Sequence, residues 1–240
     1  MVFNELVSPS LKKLFIKEIT ATILSGKIGI GEWLPNEREL AHKMKVSRAV
    51  VNGGLAELSR QGFITIVPRK GAYVADYKHR GKVETLTAIL EFNRGRFDPD
   101  MLKSIYESRI NTERHVVTLA SKNRTQQDID ALYNQLDVLA KLEDAKEMSE
   151  ACHEFYRILY VSSGNLFYPL SVQVHGIVGK PMLEILFRHY PKEIRLEKMR
   201  LLVGLIEKRE AEQAADCIEA LSLWDLNAVS NHFKAGDILV

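Results

Sequence analysis

The first 75 residues change from a helical to an extended periodicity, and this change constrains the fold more than any other feature. The Ser8-Pro9 pair predicts a helix start, and apolar side chains recur at helical spacing over residues 11–23. A second helical pattern covers residues 36–44, and its first residue, Asn36, is a typical helix cap with a glutamate three positions later. Ser47 predicts the cap of a third helix. The apolar stripe of this third helix consists of Val51, Leu55 and Leu58.

The pattern then becomes extended. Residues 63–67 are aromatic and β-branched, residues 72–74 form a second short apolar run, and the turn-forming residues 68–71 lie between them. Three helices, of which the second and third are joined by only a few residues, followed by a hairpin, are the order of a winged helix-turn-helix. In that motif the second helix of the pair enters the major groove of DNA.

Strand patterns are absent from residue 84 onward, and helical patterns continue to the end of the chain. The predicted helices cover residues 84–94, 99–122, 126–142, 147–163, 166–190, 192–209 and 211–232. The sequence therefore predicts a mostly α fold in three parts. These are a winged helix-turn-helix with an α/β wing over residues 1–75, a polar linker over residues 76–83, and an all-α bundle of six to seven helices over residues 84–240.

Charge divides the chain near the same place. Residues 1–80 contain 13 Lys and Arg against 7 Asp and Glu, whereas residues 81–240 contain 20 against 24. A basic domain binds polyanions because binding releases condensed counterions. The imbalance favours a nucleic-acid partner for the first part, although a small domain also acquires such an imbalance by chance.

Three features of the sequence indicate the cellular compartment of the protein. The apolar runs are far shorter than the about 18 residues of a membrane span, and the first residues lack the basic and apolar pattern of a signal peptide. Cys152 and Cys217 lie far apart without CxxC spacing, as in proteins of a reducing compartment. We expect a cytoplasmic protein without a membrane partner.

The start of the third helix carries residue types that read DNA bases. Arg48 and Asn52 are four residues apart, so they project from one face, opposite the apolar stripe. Arginine pairs with guanine and asparagine with adenine in the major groove. Each such residue alone is more simply a solvated surface group, but their combination on this motif predicts a DNA-binding surface. Its residues are Arg38, Ser47, Arg48, Ala49, Asn52, Arg69 and Lys70.

Residues 10–75 resemble the GntR family of bacterial regulators. The resemblance rests on GKIxxGxxLPxERELA from Gly26, VSR from Val46, LxxLxxxGF from Leu55 and GAYV from Gly71. It implies that Arg38, Ser47, Arg48 and the wing residue Gly71 contact DNA.

This chain departs from the family pattern just after the start of the third helix. The family usually has Arg at the position of Asn52 and Glu-Ala at the positions of Gly53 and Gly54. We therefore predict an altered base preference at Asn52. Two glycines inside a helix cost roughly 1 kcal/mol each. They are either tolerated or permit a close approach to DNA or to the first helix.

The helical part resembles the effector domain of the FadR branch of this family. The matching motifs are RxxxE from Arg109, FYxxL from Phe155, SGN ending at Asn165, and RHY from Arg188. Most members of the broader group bind a metal through one Asp and three His. The matching positions here are Cys152, Tyr156, Met199 and about Leu221. Methionine and leucine do not bind a hard cation, so we predict no metal and no other cofactor.

The same resemblance implies a small-molecule effector, and an acyl-CoA and a small carboxylate are both candidates. A buried Arg109 or Arg188 requires an anionic partner, which is either an internal carboxylate such as Glu113 or the effector itself. Tyr156 and Asn165 are placed to add neutral hydrogen bonds. The predicted effector-binding residues are Arg109, Tyr156, Asn165, Arg188, His189 and Tyr190.

These features together predict a sequence-specific transcription regulator, expected to be a repressor in the bacterial cytoplasm. A homodimer on a palindromic operator supplies the specificity that one reading domain lacks. Catalytic motifs such as GxSxG, a P-loop or GxGxxG after a strand are absent from the sequence, so an enzyme is not expected. One alternative stays open: a scaffold protein whose winged helix binds protein, for which Arg48 would not be needed.

Overall fold

The computed structural model describes residues 10–93 and 99–234 and shows a mostly helical protein with a small antiparallel sheet. The chain divides into two compact units, Met1–Arg94 and Gly95–Val240. The predicted fold class, mostly α with a two-stranded wing, is confirmed.

The first unit contains five helices and a hairpin within its described residues. In chain order the elements are α1 (Leu11–Leu24), α2 (Glu37–Met44), α3 (Arg48–Arg60), β1 (Ile64–Val67), β2 (Gly71–Val74), α4 (Tyr77–Arg80) and α5 (Val83–Phe92). The strands are antiparallel, with Val67 opposite Gly71. This is the predicted winged helix-turn-helix order.

Side-chain caps fix the starts of the first three helices. The backbone N–H of Glu39 donates to Asn36 Oδ1 over 3.0 Å, and that of Val50 donates to Ser47 Oγ over 3.2 Å. The cap of α1 is Ser10, whereas the predicted start at Ser8-Pro9 lies outside the described residues. The predicted caps of α2 and α3 are therefore confirmed.

The core of the first unit lies between α1, α3 and the hairpin. Its fully buried side chains include Phe15, Val51, Leu58, Phe63 and Val74. Each such burial stabilises the unit by about 1.5–3 kcal/mol, and the packing leaves the opposite side of α3 exposed to solvent.

The predicted boundary between the domains differs from the observed one. The predicted linker over residues 76–83 contains α4, which is capped by Asp76, and leads directly into α5. Thr85 at the start of α5 donates a hydrogen bond to the backbone carbonyl of Gln61, at the end of α3. Because this bond ties α5 to α3, the division between the units lies after residue 94 and not at residue 83.

The second unit is an all-α bundle. Its helices within the described residues are α6 (Pro99–Asn123), α7 (Gln126–Lys141), α8 (Ala145–Ser162), α9 (Tyr168–His189), α10 (Lys192–Glu207) and α11 (Ala211–Lys234). The helix α6 packs against α8 and α11, and α8 also packs against α7 and α9. Six of the seven helices predicted from residue 84 onward lie here, and the seventh is α5 of the first unit.

Within residues 10–93 and 99–234, none of the helices combines the length and the hydropathy needed to cross a bilayer.

Candidate functional site

The first unit has a groove of about 570 Å³ between the start of α2, one side of α3 and the hairpin. Its lining includes five exposed side chains that the sequence predicts to contact DNA, and we call it the basic groove: Arg38, Arg48, Asn52, Arg69 and Lys70. Asn36 and Glu37 also belong to the lining. Gly71 lines it as well. Predicted residues from three elements are thus brought together on one surface.

Packing of α3 determines which side chains face the groove. Val51 and Leu58 are fully buried, so Arg48 and Asn52 project from the exposed side of the helix. The Arg48 side chain is 71% exposed, and its Nη2 lies 4.0 Å from Glu37 Oε2. At this distance and exposure the ion pair is weak, which leaves the guanidinium available to a ligand.

Ser47 and Ala49 lie beside the groove at the exposed start of α3. The Ser47 oxygen accepts the helix-capping hydrogen bond from Val50, which leaves its hydroxyl proton free to donate to a phosphate. Ala49 presents only a methyl group.

The turn of the hairpin directs two cations outward. Arg69 has a left-handed backbone with φ of +64°, and the Lys70 N–H donates to the Val67 carbonyl over 3.0 Å. Gly71 follows with φ of +117°, and a Cβ there would lie 3.9 Å from the Trp33 ring. Glycine suits this position because other residues are strained at such a φ.

The two glycines of α3 have different surroundings. A Cβ at Gly54 would lie 2.2 Å from Cδ1 of Phe15, so α1 and α3 approach closely at this point. A Cβ at Gly53 would meet only the Lys12 side chain, at 3.7 Å. Close packing against the first helix therefore explains Gly54 and does not explain Gly53.

The basic groove has the chemistry of a DNA-binding surface. Arginine and asparagine side chains on an exposed helix match the donor and acceptor pattern of base edges. Lysine and arginine at the turn match phosphate oxygens, which fix the position of a protein on the duplex.

A second constellation, which we call the polar centre, lies inside the C-terminal bundle. It consists of Arg109, Glu113, Tyr156, Arg195, Ser222 and Asp225. Arg109 Nε donates to Glu113 Oε1 over 2.7 Å, and Ser222 Oγ donates to Glu113 Oε2 over 2.9 Å. Two cations and two anions balance one another in the interior, as buried charges require.

Arg195 connects three helices of the bundle. From α10 it donates to Asp225 on α11 and, over 3.0 Å, to Oη of Tyr156 on α8. Burial would lower the pKa of Arg195, but the charge of Asp225 raises that pKa well above its ordinary value. Burial also raises the pKa of Cys152 and of Tyr156, so both stay protonated and neutral at pH 7.

A cavity of only about 30 Å³ adjoins the polar centre. Arg109, Tyr156 and several residues not singled out from the sequence line it, namely His153, Tyr160, Val172, His175, Gly179 and Leu183. Within the part of the chain that the structure describes, Tyr106 Oη, Arg195 Nε and His153 Nε2 are buried without a hydrogen-bond partner. The cavity has the size of a water molecule, and its lining combines charged and polar groups with apolar ones.

Two of the predicted effector residues, Arg109 and Tyr156, belong to the polar centre, and the structure places the other four elsewhere. Asn165 Oδ1 accepts from the backbone N–H groups of residues 167 and 168 at the start of α9. Arg188 is exposed and pairs with Glu184 over 2.5 Å. His189 is exposed against the His232 ring, and Tyr190 donates to the Ala228 carbonyl over 3.2 Å. These four residues therefore have structural contacts away from the cavity.

The positions matched to metal ligands are also buried: Cys152, Tyr156, Met199 and Leu221. The guanidinium of Arg195 donates to Tyr156 Oη and would repel a metal cation placed beside it. Among the described residues, no group of three or more His, Cys, Asp or Glu side chains is placed to hold a metal ion. The donor set does not fit the group that the family resemblance implies.

Arg195, Ser222 and Asp225 were not identified from the sequence, although a local signal exists. Arg195 shares a helical stripe with the buried residues Met199 and Leu202, and Asp225 lies four residues after the buried Leu221. A charge at the core position of an apolar stripe requires an internal partner.

Comparison with known proteins finds a matching family for each of the two units. Residues 15–74 match the family described as bacterial regulatory proteins of the gntR family, and residues 104–222 match the FCD domain. The fatty acid metabolism regulator protein of Proteus mirabilis (strain HI4320) is 26% identical over 205 residues, which cover 83% of this chain and 82% of that protein.

Two further proteins extend the similarity. The uncharacterised HTH-type transcriptional regulator YcbG of Bacillus subtilis (strain 168) is 30% identical over 205 residues, covering 85% of this chain and 84% of that protein. The solved structure reported for Lar, which controls expression of the Listeria monocytogenes agr system, is 18% identical. Its TM-score is 0.60, and it covers 95% of this chain and 99% of that one, a likeness of fold.

Proposed function

Because this chain belongs to the GntR family of bacterial transcription regulators, and is a DNA-binding regulator and not an enzyme, we propose that it recognises its operator through the basic groove. The observation that carries this proposal is the convergence of Arg38, Arg48, Asn52, Arg69 and Lys70 on one exposed surface. Here α3 enters the major groove, Arg48 and Asn52 contact base edges, and the wing contacts the backbone.

The base preference follows from the side chains. Arg48 binds guanine through O6 and N7, and Asn52 binds adenine through N6 and N7. Each such pair discriminates against the wrong base by about 1–3 kcal/mol. Selection from a random DNA pool tests this assignment: Asn52→Arg should change the preferred base at one position of each half-site and leave the other positions unchanged.

The protein binds as a homodimer to a palindromic operator in the cytoplasm, where the bacterial chromosome lies. A single winged helix contacts too few base pairs for specificity in a genome, and a two-fold dimer doubles the contacts. A dimer bound over a promoter excludes the polymerase, so the expected action is repression.

The effector is a small carboxylate that binds at the cavity beside the polar centre. Arg109 supplies the cation, and a ligand carboxylate would exchange with Glu113, which now occupies that guanidinium. The cavity is water-sized in the described conformation, so a small carboxylate would bind only if the surrounding side chains moved, and an acyl chain would require a larger movement. An acyl-CoA is a second candidate because a similar protein is named a fatty acid metabolism regulator. Either effector changes operator affinity only if it binds the DNA-bound and free forms differently.

Fluorescence anisotropy with DNA from upstream of the gene tests the effector assignment. Short dicarboxylates, hydroxy acids and acyl-CoA esters are added in turn to the complex. We expect a carboxylate to change the affinity of the wild type and to have no effect on Arg109→Gln. A response to acyl-CoA alone would transfer the assignment to the second candidate.

A further inference from the structure

Lys12 of α1 lies against the exposed side of α3, next to the base-contacting residues. Its Cδ and Cε are each 3.7 Å, and its Nζ 4.0 Å, from the position that a Cβ at Gly53 would occupy. Gly53 directly follows Asn52 in the chain, and Lys12 is exposed to solvent. A flexible cation from another helix therefore borders the surface that faces DNA.

Helix geometry places this cation on the side of α3 away from the wing. Successive residues are rotated by about 100° around a helix axis, so Gly53 lies one step around from Asn52, in the direction away from Arg48. The other flank of α3 faces the wing, with Arg69 and Lys70 in the basic groove. The exposed side of α3 thus has a cation on each flank.

This arrangement matches the two walls of a DNA groove. An α-helix with side chains is about 10–12 Å across and fills the major groove, which is about 12 Å wide and is bordered by a phosphate backbone on each side. Cations on one flank reach one backbone, and a cation on the other flank reaches the opposite backbone.

The charge of Lys12 is not held in an ion pair within the described part of the first unit. It contributes, after Arg60, to the lowered pKa of Glu57. That carboxylate is held by Arg60, whose Nε and Nη2 donate over 3.0 Å and 2.6 Å. Among residues 10–93 and 99–234, no ion pair involves Lys12.

We propose that Lys12 binds a DNA phosphate on the α1 side of the major groove, and that Gly53 places no acidic side chain beside the ammonium group. This inference rests on the proposed placement of α3 in the groove. A carboxylate at position 53 would form an ion pair with the ammonium group of Lys12 and would repel the DNA phosphates.

The test measures operator affinity of the full-length protein by fluorescence anisotropy over a series of KCl concentrations. Lys12→Gln should weaken binding roughly three- to tenfold and reduce the slope of log K against log salt by about one. Lys27→Gln is the matched control, because Lys27 is exposed just beyond the far end of α1. It should leave affinity and slope near those of the wild type.

Three more variants separate charge from structure. Lys12→Arg should retain the wild-type slope, and Gly53→Glu should weaken binding at least as much as Lys12→Gln while Gly53→Ala does not. If Lys12→Gln and Lys27→Gln behave alike while Arg48→Ala abolishes specific binding, Lys12 makes no phosphate contact although α3 is placed as proposed. If Arg48→Ala has no effect either, the placement of α3 is wrong and this inference falls with it.

Discussion

Arg195 and Asp225 form an ion pair at the centre of the C-terminal bundle, where the exposed fraction of each side chain is 2% or less. They lie on α10 and α11, and Arg195 extends the link to Tyr156 on α8. An internal guanidinium thus joins three helices at the point where the resemblance to metal-binding relatives would place a cation.

Removal of one partner should destabilise the protein strongly. Asp225→Leu leaves Arg195 buried without its carboxylate, and we expect a loss of about 3–5 kcal/mol in the free energy of unfolding, measured in urea. The double variant Arg195→Met, Asp225→Leu should recover most of this loss, because apolar residues can replace a buried pair. Arg200→Met removes an exposed ion pair with Asp137 and should cost under about 1 kcal/mol. Equal losses in Asp225→Leu and Arg200→Met would contradict the account of the polar centre.

Alanine substitutions at the two adjacent glycines of α3 should change the stability of the protein in opposite directions. Gly54→Ala brings a methyl group against the Phe15 ring, so α1 and α3 must separate, with an expected loss of about 1–3 kcal/mol. Gly53→Ala meets only ordinary contacts and should stabilise the helix by up to about 1 kcal/mol. Thermal unfolding of both variants measures the difference. A stabilised Gly54→Ala would show that α1 and α3 are not packed as closely as described.

Acidic pH should destabilise the bundle through two histidines near the cavity. Burial lowers the pKa of His153 and of His175 below the ordinary value of 6.5. The unfolded chain then binds protons more readily than the folded one, so stability falls as pH drops below 6.5. The slope is at most about 1.4 kcal/mol per pH unit for each histidine.

A substitution isolates this contribution. His175→Gln should flatten the decline in melting temperature between pH 7 and pH 5, whereas His79→Gln, at an exposed position, should not. Parallel declines in the wild type and in His175→Gln would exclude a contribution from this histidine.

Divalent metals should not stabilise the protein, because the matched ligand positions hold Cys152, Tyr156, Met199 and Leu221 around a buried guanidinium. We expect the same melting temperature with EDTA as with zinc or manganese. A ligand at one hundred times its dissociation constant would add about 2.7 kcal/mol. A saturable rise in melting temperature with either metal would overturn this prediction.

The fold of the first unit could be predicted from sequence because its signals are local. Asn36 and Ser47 cap backbone groups only three residues further along the chain, so these two residues predict the helix starts. A short run of β-branched residues predicts the hairpin. The structure divides after residue 94, and this division has no local sequence signal because the bond from Thr85 to Gln61, which ties α5 to the first unit, joins residues 24 positions apart.

The polar centre could not be predicted in full, because its members come from distant helices. Arg195 and Asp225 are 30 residues apart, and Glu113 and Ser222 are 109 apart. The adjacent Arg188, His189 and Tyr190 suggested a ligand site, but they end α9 at its surface and contact different neighbours. Consecutive side chains of a helix point in different directions, so residues that are adjacent in the sequence are a poor indication of a shared binding site.

The most direct test of the central claim is operator binding by Arg48→Ala, measured by fluorescence anisotropy at several salt concentrations with DNA from upstream of the gene. We expect the wild type to bind tightly with a steep salt dependence, and the variant to retain only weak binding that does not distinguish the operator from unrelated DNA. Equal affinity of both proteins for the operator would contradict base recognition through the basic groove.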